Sequence, residues 1–418
     1  MKLPVLKKLA NGLRVYFLPQ EEAESITIYL KGLAGSNYER IEEAGTAHLL
    51  EHWMLKGSKN YPNESDLLNL VTFGGGKYIG VTSRDDVLFG IHVLKDYFED
   101  ALKFLSEIFC FPKLDDENFA IVQNLAKNEI KRYFDMPEKL IARLAYATVF
   151  PNTRLAIFNT GNLDSVTNLD PITVKNFYKN NYVNDKFILV INGKFDIESA
   201  SEILADLFTT RKLENPGVAP TIPLPKNSSI MIYDTYKFLQ DYIRIDYLAP
   251  AISDEHKYAA IILAKYLDIL LKNQLQNQGI SYKVSVDCMC ARNYGLISFF
   301  AACTHIDLDK LLLNFTDILK SSIKSVDNTL LERAKHIVVS NIIFALEKPS
   351  MRTEYYSEIL LHGSSNQNHL SEIEKIKQVK AVQFRAVAKK ILVNPQVTLI
   401  SNKSDQHYVD DILTHLNI

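Results

Sequence analysis

The chain has 418 residues, with 47 Lys and Arg against 49 Asp and Glu and 47% hydrophobic residues. That length suits two domains of ordinary size, and no apolar run is long enough to span a bilayer. A formal net charge of −2 excludes a general nucleic-acid or anionic-membrane binder, which would carry a basic excess, and four cysteines do not make a disulfide framework.

The opening MKLPVLKKLANGLRV has lysines but no apolar stretch before its first turn signal. No signal peptide is expected, and the location expected is cytoplasmic. Two strand-like runs follow, 13–19 and 26–32. A short helix is expected over about 47–56, with Thr46 as N-cap and Gly57 just past its end. Another helix is expected over 63–72, then strands over 78–83 and 87–93 around a Gly-rich turn. Long amphipathic helices are expected over 95–109 and 116–134, with a restart at Pro137. A strand at 187–193 precedes the helical ESASEILADLF.

The stretch 211–229 holds four prolines and reads as a linker between domains 1–210 and 230–418. Beyond it the order repeats: two strands, a helix over 254–276, a hairpin over 281–304, and helices to about 348. A last strand at 396–401 leads into a closing helix. The repeat also shows in residues. EIKRYFDMP ends at Pro137 and NIIFALEKP at Pro349, an offset of 212, while Asn184 and Asn394 align at an offset of 210. A duplicated domain is the expectation, in an α+β fold of two homologous halves. Each half would be an antiparallel-rich sheet packed with helices.

AHLLEHWML (47–55) places His48, Glu51 and His52 at i, i+3 and i+4, on one face of an apolar helix. Two imidazoles at that spacing supply two ligands of a tetrahedral zinc site. The glutamate beside them suits a base acting on water at the metal. HxxEH is the inverzincin signature; the bland alternative is a helix with two hydrogen-bonded or surface histidines. A catalytic zinc needs a third protein ligand and an open position. Glu129 is the candidate, because it lies on the apolar stripe Phe119, Val122, Leu125, Ala126, Ile130 and Tyr133, where a carboxylate without a cation is costly. A salt bridge to a lysine or arginine would meet the same need. In the repeat, Asn341 stands for Glu129 and HxxEH is missing.

These motifs, with WMLKGSKNYP, Thr82-Ser-Arg-Asp, Asn128-Glu129-Ile130, Asp135-Met-Pro137 and GISYKVS (279–285), resemble the pitrilysin family, which includes insulysin and the mitochondrial processing peptidase. The likeness runs through the whole chain and matches the branch of two-domain subunits. It implies a zinc endopeptidase acting on small unfolded peptides in a chamber closed by two subunits. It further implies one Zn2+ per chain on His48, His52 and Glu129, with Glu51 as general base. Ile79, Gly80 and Val81 match the edge strand on which such enzymes hold substrate as an added strand, and Tyr282 matches a substrate-binding tyrosine.

Three departures stand out. Ile79 replaces the usual Asn of the substrate strand. Val122 replaces a frequent carboxylate seven residues before the zinc-binding Glu, which weakens outer support for the site. Leu275 replaces an Arg that pairs with the tyrosine. Two partnerships are therefore open: a homodimer using Tyr282 alone, or a heterodimer whose homologous partner supplies an Arg/Tyr pair. A non-catalytic scaffold is the rival function. A metal site at Cys288, Cys290, Cys303 and His305 is disfavoured, because the hairpin turn near Asn293 carries Cys303 away from Cys290.

Overall fold

A computed structural model describes residues 3–212, 222–363 and 368–402, with isolated positions at 412, 414 and 416. The first sheet contains β1 (Val5–Lys8), β2 (Arg14–Pro19), β3 (Ser25–Gly32), β4 (Lys77–Thr82), β5 (Val87–Leu94) and β6 (Phe187–Gly193), in the order β1-β2-β6-β3-β5-β4. The second contains β7 (Ser229–Asp234), β8 (Asp241–Ala249), β9 (Lys283–Cys290), β10 (Gly295–Cys303) and β11 (Gln396–Ser401), in the order β7-β11-β8-β10-β9. Leaving out the short edge strand β1, the two orders are the same. Each sheet has one parallel pair, β2 with β6 and β7 with β11, and is otherwise antiparallel. The duplication is thus as plain in topology as in sequence, and the α+β expectation holds.

The chain forms two packing units, and neither is contiguous. Residues 344–368 belong with the first sheet, and 132–156 with the second. Counted from the prolines that open their helices, these are the same piece of the repeat, so each half gives the other one helix. Pro349–His362 packs on β3 and β6, while Pro137–Val149 packs on β7, β8 and β11. A split into 1–210 and 230–418 therefore follows chain order and not packing. Of the stretch read as a linker, 213–221 lies outside the described residues, as does most of the expected closing helix.

The helix expected at 47–56 is Thr46–Met54. Nine residues make no stable helix alone; burial holds this one. Leu49, Leu50, Trp53 and Met54 are fully buried, each worth about 1.5–3 kcal/mol of burial. Thr46 is not the N-cap. Gly45 takes that place at φ 99°, and a Cβ there would lie 2.8 Å from the Thr160 carbonyl oxygen. The capping acceptor is the buried Glu39 carboxylate, which accepts from the Gly45 and Ala47 amides at 2.9 and 2.8 Å. An anion at a helix N-terminus is favoured by the helix dipole. Local propensity pointed to Thr46, but a carboxylate from the preceding loop took the role.

In the second unit, Cys290 pairs with Gly295 at one end of β10, while Cys303 pairs with Asp241 at the other end. His305 Nδ1 lies 2.8 Å from Asp241. The four candidate ligands do not converge, as the turn at 291–294 required. Leu275, near the end of the helix Lys257–Asn277, is fully buried in that unit's core.

Candidate metal centre

Glu129 rides on the helix Asp116–Tyr133, whose Phe119, Val122, Ala126 and Ile130 are buried. Leu125 is not part of that face, being 44% exposed. The stripe is therefore narrower than the sequence suggested, and Glu129 sits at its half-exposed margin. From there its Oε2 reaches 3.2 Å from His48 Nε2 and 3.5 Å from His52 Nε2. The two Nε2 atoms are 3.3 Å apart, with the rings edge to face at 85°. One donor atom from each residue thus lies within 4.8 Å of the others. Two imidazole nitrogens and a carboxylate oxygen are the donor set of a three-ligand catalytic zinc site. Their convergence from two helices fits that ion. The carboxylate bonded to His52 raises that imidazole's pKa.

Val122 is fully buried, and His48 Nδ1 is buried without a hydrogen-bond partner among the described residues. The apolar side chain at position 122, where the resemblance expects a carboxylate, offers no hydrogen-bond acceptor.

Glu51 is also buried, which raises its carboxyl above the ordinary range, while His48 and Thr82 pull the other way. Thr82 Oγ1 donates to Glu51 Oε2 at 2.6 Å. Thr82 closes β4, the outer strand of the first sheet, whose far edge carries no strand among the described residues. Side chains alternate along a strand, so Gly80 shares Thr82's face. A Cβ on Gly80 would fall 2.5 Å from Glu51 Oε1. The strand backbone therefore lies directly against the carboxylate, and any side chain at position 80 would have to push it aside. Ile79 and Val81 point from the opposite face, 45% and 43% exposed. We expect Gly80→Ala to displace Glu51 and lower peptide cleavage about 10²-fold, as misplacement near 1 Å does. Metal content, read by atomic absorption, should be unchanged; cleavage at the wild-type rate would show that the carboxylate has room to move.

Tyr282 belongs to the second unit. It is 68% exposed, and its hydroxyl donates to Gln240 Oε1 at 3.1 Å. The sequence reading assigned no role to Thr82 or Glu39. Neither Thr82 nor Glu39 leaves a periodic signal that ties it to Glu51 or to the 46–54 helix.

Two family models match the chain: "Insulinase (Peptidase family M16)" over residues 15–160 and "Peptidase M16 inactive domain" over 168–338. The chain belongs to peptidase family M16. The zinc-type donor set falls in the insulinase match, and the half without HxxEH falls largely in the inactive-domain match. An uncharacterised zinc protease of Mycobacterium bovis is 21% identical over 92% of this chain and 90% of its own length. The mitochondrial-processing peptidase subunit beta of Dictyostelium discoideum is 19% identical over 96% and 90%. A protease structure from Helicobacter pylori superposes with a TM-score of 0.87 at 18% identity, covering 96% of this chain and all of that one. As in the M16 fold of such neighbours, two α+β halves make up the chain. No helix among the described residues is long and apolar enough to cross a membrane.

Proposed function

We propose that the chain is a zinc-dependent endopeptidase acting on short unfolded peptides. The observation that carries this is the convergence of His48, His52 and Glu129 beside a buried Glu51 that an edge strand holds in place. Bound there, a zinc ion supplies Lewis acidity toward a peptide carbonyl and an acidified water. The chain's own residues do the rest. Glu51 takes a proton from the attacking water at its carboxylate and delivers it to the leaving amine. Thr82 fixes one carboxylate oxygen and the Gly80 backbone crowds the other, so Glu51 is held before substrate arrives. The open edge of β4 accepts an extended peptide as a further strand, with exposed Ile79 and Val81 offering apolar contacts to its side chains. Main-chain pairing of this kind selects unfolded segments.

A dimer supplies the rest of the binding surface in this reading, with the site in a chamber between subunits. Leu275 is a core residue, so either a homodimer uses Tyr282 alone or a homologous partner in a heterodimer brings an Arg/Tyr pair to the zinc-bearing chain. One relative is named as a subunit of a mitochondrial-processing peptidase, and a solved neighbour comes from Complex III2 of Candida albicans. The location proposed is the cytoplasm.

The test is cleavage of a quenched, unstructured peptide of about 15 residues by the purified chain, with zinc quantified. One zinc per chain and cleavage abolished by a chelator support the peptidase. Zinc with no cleavage places the missing residues on a partner. Failure to bind zinc, with His48→Ala indistinguishable from wild type, overturns the reading.

A further inference from the structure

A second cluster of charged groups lies in the first unit, away from the residues assigned above. Lys31 on β3, Asp86 at the β4–β5 turn, and Glu358 and His362 on the helix Pro349–His362 meet in one place. Lys31 Nζ lies 3.5 Å from Asp86 and pairs with Glu358. His362 Nε2 lies 2.9 Å from Asp86 Oδ2 and 3.7 Å from Glu358. Lys31, Asp86 and His362 have side chains no more than 9% exposed. Two carboxylates and a histidine could suggest a second metal, but the Lys31 ammonium already serves as the cation of this cluster. Burial would raise the Asp86 carboxyl, yet His362 and Lys31 hold it below its ordinary range.

The duplication supplies a comparison within the same molecule. In the second unit, Tyr294 precedes β10 as Asp86 precedes β5. Leu248 sits opposite Leu296 on the paired strands as Lys31 sits opposite Leu88. Both hairpin turns are closed alike, Ser83 amide to Asp86 carbonyl and Ala291 amide to Tyr294 carbonyl, each at 2.8 Å. Counted from the opening prolines, Tyr146 stands for Glu358 and Phe150 for His362. In the second unit these positions form an apolar cluster of Tyr146, Phe150 and Tyr294 with Leu248 against it. The Phe150 and Tyr294 rings are 4.8 Å apart. The same joint between helix, strand and turn is greasy in one copy and ionic in the copy that holds His48, Glu51, His52 and Glu129.

Stability does not explain that difference. Apolar groups of similar volume are as stabilising as a buried ion network, or more so, while ionic groups fix geometry through directed bonds. The bonds here lead to the base. His362 holds Asp86, and the Asp86 carbonyl accepts from the Ser83 amide. Ser83 follows Thr82, whose hydroxyl holds Glu51. We propose that His362 is a positioning residue: with Lys31 and Glu358 it clamps Asp86, so that a helix from the second half of the chain sets the β4–β5 hairpin and, through Thr82, the orientation of Glu51. This rests on the peptidase reading for its catalytic consequence, but not for the clamp itself.

The experiment compares His362→Ala, His362→Gln and Ile359→Ala in the full chain, by amide hydrogen exchange over 77–86 and by peptide cleavage. Ile359 is a buried residue of the same helix, so its truncation controls for lost packing. Losing a hydrogen bond to a charged group should speed hairpin exchange at least about tenfold in His362→Ala, with kcat falling in step and zinc content unchanged. His362→Gln keeps a donor and should restore most of the protection. Ile359→Ala should lower Tm without selective loosening of the hairpin. Unchanged exchange in His362→Ala, or equal loosening in Ile359→Ala, overturns the clamp. A hairpin loosened by His362→Ala in a chain whose wild type neither binds zinc nor cleaves peptide would leave the clamp standing and remove the peptidase.

Discussion

Glu51→Gln should lower peptide cleavage by about 10²–10⁴-fold, the usual contribution of a general base, while zinc content stays at the wild-type level. Glutamine has the same shape, so the Thr82 hydroxyl keeps an acceptor and the Gly80 backbone keeps its neighbour. What disappears is the basic oxygen. The site is buried, and an amide is cheaper to bury than a carboxylate, so Tm should hold or rise. Single-turnover cleavage, metal quantification and thermal unfolding on one preparation check all three. Loss of zinc together with activity would make Glu51 a structural support of the ligands. Cleavage within tenfold of wild type would place the base elsewhere.

Leu275→Arg should destabilise the second unit by about 3–5 kcal/mol, the cost of an uncompensated buried charge. The position looks from sequence like the place to restore the arginine that relatives pair with Tyr282. Leu275 is fully buried, and its carbonyl accepts from the Ile280 and Ser281 amides in the turn leading to Tyr282. A guanidinium would have to leave the core and drag that turn with it. Denaturant unfolding should show the loss, and cleavage should not improve. A variant of unchanged stability with faster cleavage would mean that the helix end turns its 275 face outward at little cost, and that the arginine belongs to this chain after all.

How much of this was legible depended on range. The spacing of His48, Glu51 and His52 is a local fact, and the helix followed from it. Glu129 was found because a carboxylate on an apolar stripe demands a cation, though the stripe was drawn too wide at Leu125. The strands were readable as short apolar runs, and the likeness of the two halves from their repeated order and from Pro137 and Pro349. Contacts between distant segments left no such trace. Nothing in the order of residues says that Glu39 caps the 46–54 helix, that Thr82 grips Glu51, or that the helices opened by those two prolines trade sheets. Each is decided by where a loop or helix lands after folding.

That trade has a consequence for how the protein is made. On a ribosome, all three zinc-type donors have emerged once residue 129 is out, and the sheet strands once residue 193 is out. The helix that covers β3 and β6 arrives only with residues 349–362. A nascent chain thus holds its zinc-type donors before the helix that covers β3 and β6 exists, with β7 to β10 made in between.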